Sequence, residues 1–401
     1  MTLVKQADEN IMHKSLRIIT LGLALAILAA CSTSEIINIA ISKNPKSYVS
    51  NYAENRVKSY KYNPMAMASD IKRIRRQYST LLKVLRGEVE KEWGKGDTLT
   101  PTNKRYVKYT QNYKSRAIIN FETGLIRVET LAEQTPKVNL QNAIITTLLT
   151  PNDPRSVDLY SAKQVKLTGE PYLYGLVRDE QNRLITSPQQ AEHYATYLVQ
   201  NKLLSGKTKQ QKTKHFVKFT MVNNHSHIQA QRIKPLVDKY AQQFNVSKSL
   251  VYAVIKTESA FNPYAVSSSP AYGLMQIVPT TAGRDTFRKV KGYDHIPSKE
   301  YLFNSANNIE LGTAYLNILD RQYLGAIQHP LTREYCTISA YNGGAGNVFR
   351  MFSQNRDKAV NIINSLSPAN VYQKLRHEHP RNETRRYLRK VLDARKEFVS
   401  I

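Results

Sequence analysis

Residues 247–276 read SKSLVYAVIKTESAFNPYAVSSSPAYGLMQ, and this stretch sets the reading of the C-terminal half. Ser247 is a favourable N-cap, and Val251, Val254 and Ile255 recur on one helical stripe. Glu258 is the next residue of that stripe, at i+7 from Val251 and i+4 from Val254. Apolar surroundings disfavour the charged carboxylate and raise its pKa, the property a general acid needs near neutral pH. The plainer alternative is a solvated glutamate at a helix end. Asn262-Pro263-Tyr264 ends the helix, Ser267-Ser268-Ser269 forms a polar loop, and Gly273-Leu274-Met275-Gln276 is expected to open another helix. Between Glu258 and Arg284 there is no second carboxylate. A two-carboxylate glycosidase wants an acid about 5–10 Å away, so the composition suits one carboxylate and a substrate that supplies its own nucleophile.

Around this stretch, helical periodicity continues to the end of the chain: Ile233–Phe244, Ile309–Tyr323, Thr332–Tyr341, Asn347–Phe352, Ala359–Ser365 and Thr384–Phe398. Residues 225–401 therefore read as an all-α domain. Upstream the period falls towards two. Tyr113–Phe121 and Leu125–Leu131 form a hairpin through Glu122-Thr123-Gly124, and Pro171–Arg178 with Arg183–Thr186 suggests a second. Lys214–Val222 alternates as a strand, Leu140–Leu149 and Pro188–Leu204 look helical, and Asp70–Trp93 is one amphipathic helix. Residues 66–224 thus read as an α+β domain with a mostly antiparallel sheet, preceded by a tether over 31–65. No catalytic cluster, metal-ligand spacing or phosphate loop occurs in it, so it is expected to be dispensable for chemistry.

The chain has 58 basic and 31 acidic residues among 401, a net charge of +27, with 41% hydrophobic residues. That excludes a wholly disordered chain and favours polyanionic partners, among which export decides. Ile18–Ala30 is an uncharged apolar run preceded by Lys14 and Arg17, too short for a spanning helix of about 20 residues. It reads as a signal peptide over 1–30. Asp8 and Glu9 do not suit a signal's basic start, which favours Met12 as the initiator. Leu28-Ala29-Ala30-Cys31 resembles a bacterial lipobox, which implies acylation of Cys31; Ser32 after the cysteine implies the outer membrane, with the chain facing the periplasm. Several acyl chains anchor stably where one would not. Removing 1–30 takes away three bases and two acids, leaving +26. Cys336, the only other cysteine, reads as a small buried hydrophobe, and neither a disulfide nor a metal site is expected. The lysines at 202, 207, 209, 212, 214 and 218 read as a solvated face or a docking patch for anionic wall or lipid.

Four ordered segments, Glu258-Ser259, Gly273-Leu274-Met275-Gln276, Ala340-Tyr341-Asn342 and Glu383-Thr384-Arg385-Arg386-Tyr387, resemble the signatures of the soluble-lytic-transglycosylase family. Upstream, VKYT (107–110), the hairpin of Ile118–Leu131, AIITTLL (143–149) and SVDLY (156–160) are similar to the N-terminal region of its membrane-bound members. The resemblance spans the mature chain and implies a goose-lysozyme-like catalytic domain over 225–401. It implies non-hydrolytic cleavage of the β-1,4 bond between N-acetylmuramic acid and N-acetylglucosamine, leaving 1,6-anhydro ends and needing no cofactor or metal. On that analogy Glu258 is the single acid/base, Ser267 orients the 2-acetamido group, and Gln276 contacts sugar at the cleft floor. Tyr341 packs on a sugar or reaches Glu258, Asn342 lies beside it at the cleft edge, and Tyr387 hydrogen-bonds near the carboxyl. Ser269-Pro270 and Val278 depart from the family's usual residues, which bears on subsite detail, including the contact of Ser269 with substrate. Glu383 is expected to pair with Arg385 or Arg386. Expected partners are peptidoglycan strands and outer-membrane lipid through Cys31, with other wall enzymes open and nucleic acid excluded by export. The competing functions are a hydrolytic muramidase on the same fold and a non-enzymatic wall-binding lipoprotein.

Overall fold

A computed structural model describes residues 64–401, with side chains from 72 onward. The signal peptide, Cys31 and nearly all of the tether lie outside the described residues. Ile71–Ile401 forms one compact unit.

Helix α1 (Pro64–Trp93) opens on a proline, whose missing N–H costs nothing at a helix start. It ends at Gly94, which takes a left-handed φ of 77°. Leu85, Val89 and Trp93 share a stripe at helical spacing and are fully buried. Leu81, of the same amphipathic pattern, lies exposed. Strands β1 (Arg105–Thr110), β2 (Ser115–Asn120), β3 (Leu125–Thr130), β4 (Leu204–Lys207) and β5 (Thr213–Thr220) form an antiparallel sheet in the order β1-β2-β3-β5-β4. Alternation assigns its faces. Tyr106, Ala117, Ile119, Ile126, Val128, Val217 and Phe219 face one core with α2 (Pro136–Leu148) and α3 (Pro188–Asn201). Val107 and Tyr109 face α1 on the other side. Beside them Glu129, fully buried, is held by Arg116 at 2.5 Å and by Arg127.

The expected second hairpin is not a ladder. Pro171 and Gly175 interrupt it, and a single bridge joins Arg178 to Leu184 around a turn in which Asp179 accepts from the backbone N–H groups of Gln181 and Arg183. Strand β4 was not expected, because Leu-Ser-Gly-Lys has no alternation to read.

Helices follow from residue 225: α4 (His225–Arg232), α5 (Lys234–Gln243), α6 (Lys248–Ser259), α7 (Lys299–Phe303), α8 (Ser305–Asn317), α9 (Pro330–Gly343), α10 (Ala345–Arg350), α11 (Arg356–Ser365), α12 (Pro368–His377) and α13 (Asn382–Arg395). α4, α7 and α12 add to those read from the sequence. The fold is α+β followed by helices, as expected. Helix α6 is the axis of the second half, buried without interruption from Leu250 to Ile255 between α5 and α13. Ser247 precedes it without capping through its side chain; its hydroxyl instead meets Ser249 Oγ and accepts from Arg395.

The two halves share a core. Ala260 and Tyr264, just beyond α6, pack with residues of the upstream sheet. The Tyr264 ring meets Tyr106 and Tyr172 edge-on, and its hydroxyl donates to the Pro151 carbonyl. This packing, which no local pattern announces, joins the stability of the helical half to that of the upstream half.

Candidate active site

Glu258 occupies the last turn of α6, where the stripe places it against α13. Its side chain is mostly covered, and burial pushes its carboxyl up to about 7. The like charge of Glu383 adds to the rise, while the Tyr387 hydroxyl and Lys104 oppose it. Tyr387, on α13 one turn after Glu383, is buried and faces the carboxyl without a hydrogen bond of good geometry. Its phenol is raised by burial and then by the Glu258 charge, as is that of Tyr341. Glu258, Tyr341, Tyr387 and Glu383 therefore share one electrostatic environment.

Glu383 does not form the expected ion pair. It is exposed and without an ion pair among the described residues, and Arg385 donates instead to the His379 carbonyl. A second carboxylate, 125 positions along the chain, thus comes within electrostatic reach of Glu258, which the loop after Glu258 could not disclose.

The Gly273–Gln276 segment is itself a turn, and the helical run expected there begins three residues later, over 279–291. Gly273 has φ 75° and Gln276 φ 49°, so the chain turns sharply through both. A Cβ at Gly273 would lie 2.4 Å from Asn308 Nδ2 and 2.7 Å from the Leu302 carbonyl oxygen, so only glycine fits. Asn308, buried on α8, latches the turn: its Oδ1 accepts from the Met275 N–H at 2.8 Å and its Nδ2 donates to the Tyr272 and Leu302 carbonyls.

Gln276 Nε2 donates to the Ala265 and Gly273 carbonyls at 3.1 and 2.9 Å. Its Oε1 is buried with no protein partner. The side chain therefore holds the turn with one end and leaves an acceptor unclaimed at the other. Tyr341 Oη donates to the Met275 carbonyl at 2.8 Å rather than to Glu258, and its ring packs on Tyr315 with centroids 5.7 Å apart. Asn342 accepts from Thr384 Oγ1 at 2.7 Å, tying α9 to α13, and Gly344, at φ 86°, stops α9 as expected. Ser267 donates to the Ser269 carbonyl and accepts from the Ala271 N–H, which makes it a loop-closing hydroxyl. Ser269 is exposed at the rim.

Beyond Tyr315 lies a groove of about 460 Å³ lined by Asp285, Tyr323, Phe349, Arg350 and Arg356. Among the described residues no cluster of three or more His, Cys, Asp or Glu side chains could hold a metal, and no helix is long and apolar enough to cross a membrane. Cys336 is buried, with its thiol pushed up to about 12 by burial.

Residues 68–232 match the family described as "Membrane-bound lytic murein transglycosylase C, N-terminal domain", and residues 235–364 match the "Transglycosylase SLT domain". A membrane-bound lytic murein transglycosylase C of Yersinia enterocolitica is 48% identical over 311 residues, 77% of this chain and 86% of the relative. The chain belongs to the membrane-bound lytic murein transglycosylase C family. A member from Yersinia pestis is 47% identical over the same shares of both chains. A solved structure of an inactive variant of lytic transglycosylase Slt from Pseudomonas aeruginosa is 28% identical, with a TM-score of 0.32 over 40% of this chain and 23% of that one. Family membership rests on the sequence relatives alone. Within this transglycosylase, the family's SLT domain contains Glu258, Gln276 and Tyr341, whereas Tyr387 and Glu383 lie beyond the matched span.

Proposed function

We propose that this transglycosylase cleaves the β-1,4 bond between N-acetylmuramic acid and N-acetylglucosamine in peptidoglycan without water, with Glu258 as its single acid/base. The observation that carries this reading is the carboxyl of Glu258, raised to about 7 by burial and so protonated over much of the neutral range. As an acid it gives its proton to the glycosidic oxygen as the bond to C1 breaks. The 2-acetamido carbonyl of the muramyl residue stabilises C1 on the opposite face. Glu258, now a carboxylate, takes the proton of the muramyl 6-hydroxyl as that oxygen bonds to C1, giving a 1,6-anhydro end and restoring the acid. Glu383 supports the first step by like-charge repulsion, which keeps Glu258 protonated, and Tyr387 supports the second by facing the carboxylate as it forms. Gln276 Oε1, buried and unpartnered, is suited to accept from a sugar N–H or hydroxyl. Ser267, Ser269, Tyr341 and Asn342 shape the rim and floor.

The electrostatic reach of Glu383 to Glu258 favours one competing reading, a hydrolytic muramidase with Glu383 as the base that activates water. Product mass separates them. Digests of purified sacculi should yield anhydromuropeptides and incorporate no oxygen from isotopically labelled water; reducing ends carrying the label would establish hydrolysis. Glu258→Gln should lower the rate by at least about 10²–10⁴-fold. Cys31 is proposed to be acylated, holding the enzyme on the periplasmic face of the outer membrane. Cys31→Ala should abolish palmitate labelling and release the protein from membrane fractions; unchanged labelling would refute the lipid anchor.

A further inference from the structure

The backbone just after Glu258 is unusual. Ala260 and Phe261 both take positive φ, 51° and 63°, and both are buried, a conformation disfavoured for residues with a Cβ. The last carbonyls of a helix lack intrahelical donors. Here the Asn262 N–H, which would continue the helix to Glu258, bonds to the Ser259 carbonyl instead. The Glu258 carbonyl is taken up by a residue 155 positions upstream, Asn103, whose Nδ2 donates to it at 2.7 Å. In return the Asn103 carbonyl accepts from Asn262 Nδ2 at 3.0 Å. Asn262, fully buried, also accepts through Oδ1 from the Tyr264 N–H at 3.0 Å. One upstream residue therefore grips both sides of the two-residue left-handed stretch. The next residue, Lys104, pairs with Glu122 of the β2–β3 turn at 2.7 Å and lies close enough to act on the Glu258 carboxyl.

We infer that Asn103 is a positioning residue for the acid/base: the upstream domain, through this reciprocal pair of hydrogen bonds, fixes the end of α6 and with it the aim of the Glu258 carboxyl. The inference rests on the assignment of Glu258 as acid/base. A misplacement of about 1 Å at a reacting group can cost about a hundredfold in rate, whereas a strut that serves only stability leaves the folded enzyme's turnover intact. The Asn103 side chain bonds to backbone and not to the reacting carboxyl, so its loss should act on kcat more than on KM.

The test uses the full soluble chain with the signal removed, on a defined glycan oligomer, well below the melting temperature of each variant. Asn103→Ala removes donor and shape, and Asn103→Asp keeps the shape without the donor. Both should lower kcat by about tenfold or more, with KM changed less than about twofold. The alkaline limb of activity should also move, because Lys104 shares the Asn103 loop and faces Glu258 together with Glu383 and Tyr387 of α13 and Tyr341 of α9. Variants with lowered melting temperature but wild-type kcat and pH limb would overturn the inference, as would an Asn103→Asp enzyme of full activity. Glu258→Gln run in parallel separates the two ideas. An active Glu258→Gln would remove the acid/base assignment itself, whereas an inactive Glu258→Gln beside a fully active Asn103→Ala would remove only the role of Asn103.

Discussion

Glu258→Gln should stabilise the protein, and by an amount that grows with pH. The native carboxyl sits at about 7 against an ordinary 4.5, and each unit of displacement corresponds to about 1.4 kcal/mol, which gives a ceiling of about 3 kcal/mol. Residual solvent contact lowers this to about 1–3 kcal/mol. The direction follows from proton linkage. A raised carboxyl pKa means that the native state holds its proton more tightly than the unfolded chain, so the wild type loses stability as pH rises from about 4.5 through about 7 and loses no more above that window. Glutamine has no proton to lose. For a cooperative unit of this size the difference amounts to about 1–4 °C in melting temperature. Scanning calorimetry of both proteins from about pH 4 to pH 9 measures it against the window set by the native and unfolded carboxyl. A gap independent of pH, or one that narrows as pH rises, would show that Glu258 ionises normally in the native state and would remove the basis for a general acid at neutral pH.

Tyr387→Phe removes a hydroxyl that lowers the Glu258 pKa, so the alkaline limb of activity should move upward from about 7 while turnover falls; an unmoved limb in a pH–rate profile would count against the contact. Gly273→Ala should destabilise by at least about 2 kcal/mol in chemical denaturation and depress activity, because the new Cβ collides with Asn308 and disturbs the Met275 carbonyl that receives Tyr341. A fragment of residues 225–401 should be insoluble or melt well below the full chain, since Ala260 and Tyr264 would lose their packing and the Tyr264 hydroxyl its acceptor; a fragment of undiminished stability by circular dichroism would refute the shared core.

Much of the architecture was readable because its signals are local. The β2–β3 hairpin declares itself through alternation on both sides of Glu122-Thr123-Gly124, and Glu258 through its place on the α6 stripe. The misreadings share a cause. Leu274-Met275-Gln276 is composed like a helix start, but the turn is imposed by Asn308, thirty-three residues beyond Met275, and by a glycine that nothing larger can replace. The ion pair expected for Glu383 follows from adjacent arginines, whereas the fold turns Arg385 to the His379 carbonyl and leaves Glu383 within electrostatic reach of Glu258. Asn103 could not have been found by pattern at all, because its donor matters only once two distant segments meet.

Trp93, at the end of α1, is the chain's only tryptophan. Its indole N–H donates to the Tyr113 carbonyl at 2.7 Å and its ring lies 3.7 Å from the Arg116 guanidinium. The protein thus carries an intrinsic fluorophore in the half that does not contain Glu258, while its 25 tyrosines are spread over both halves. Indole emission follows the seating of α1 on the sheet, and tyrosine emission follows the whole. Glycan binding that alters the second signal and not the first leaves the seating of α1 undisturbed, so the molecule reports without any added label whether that contact has moved.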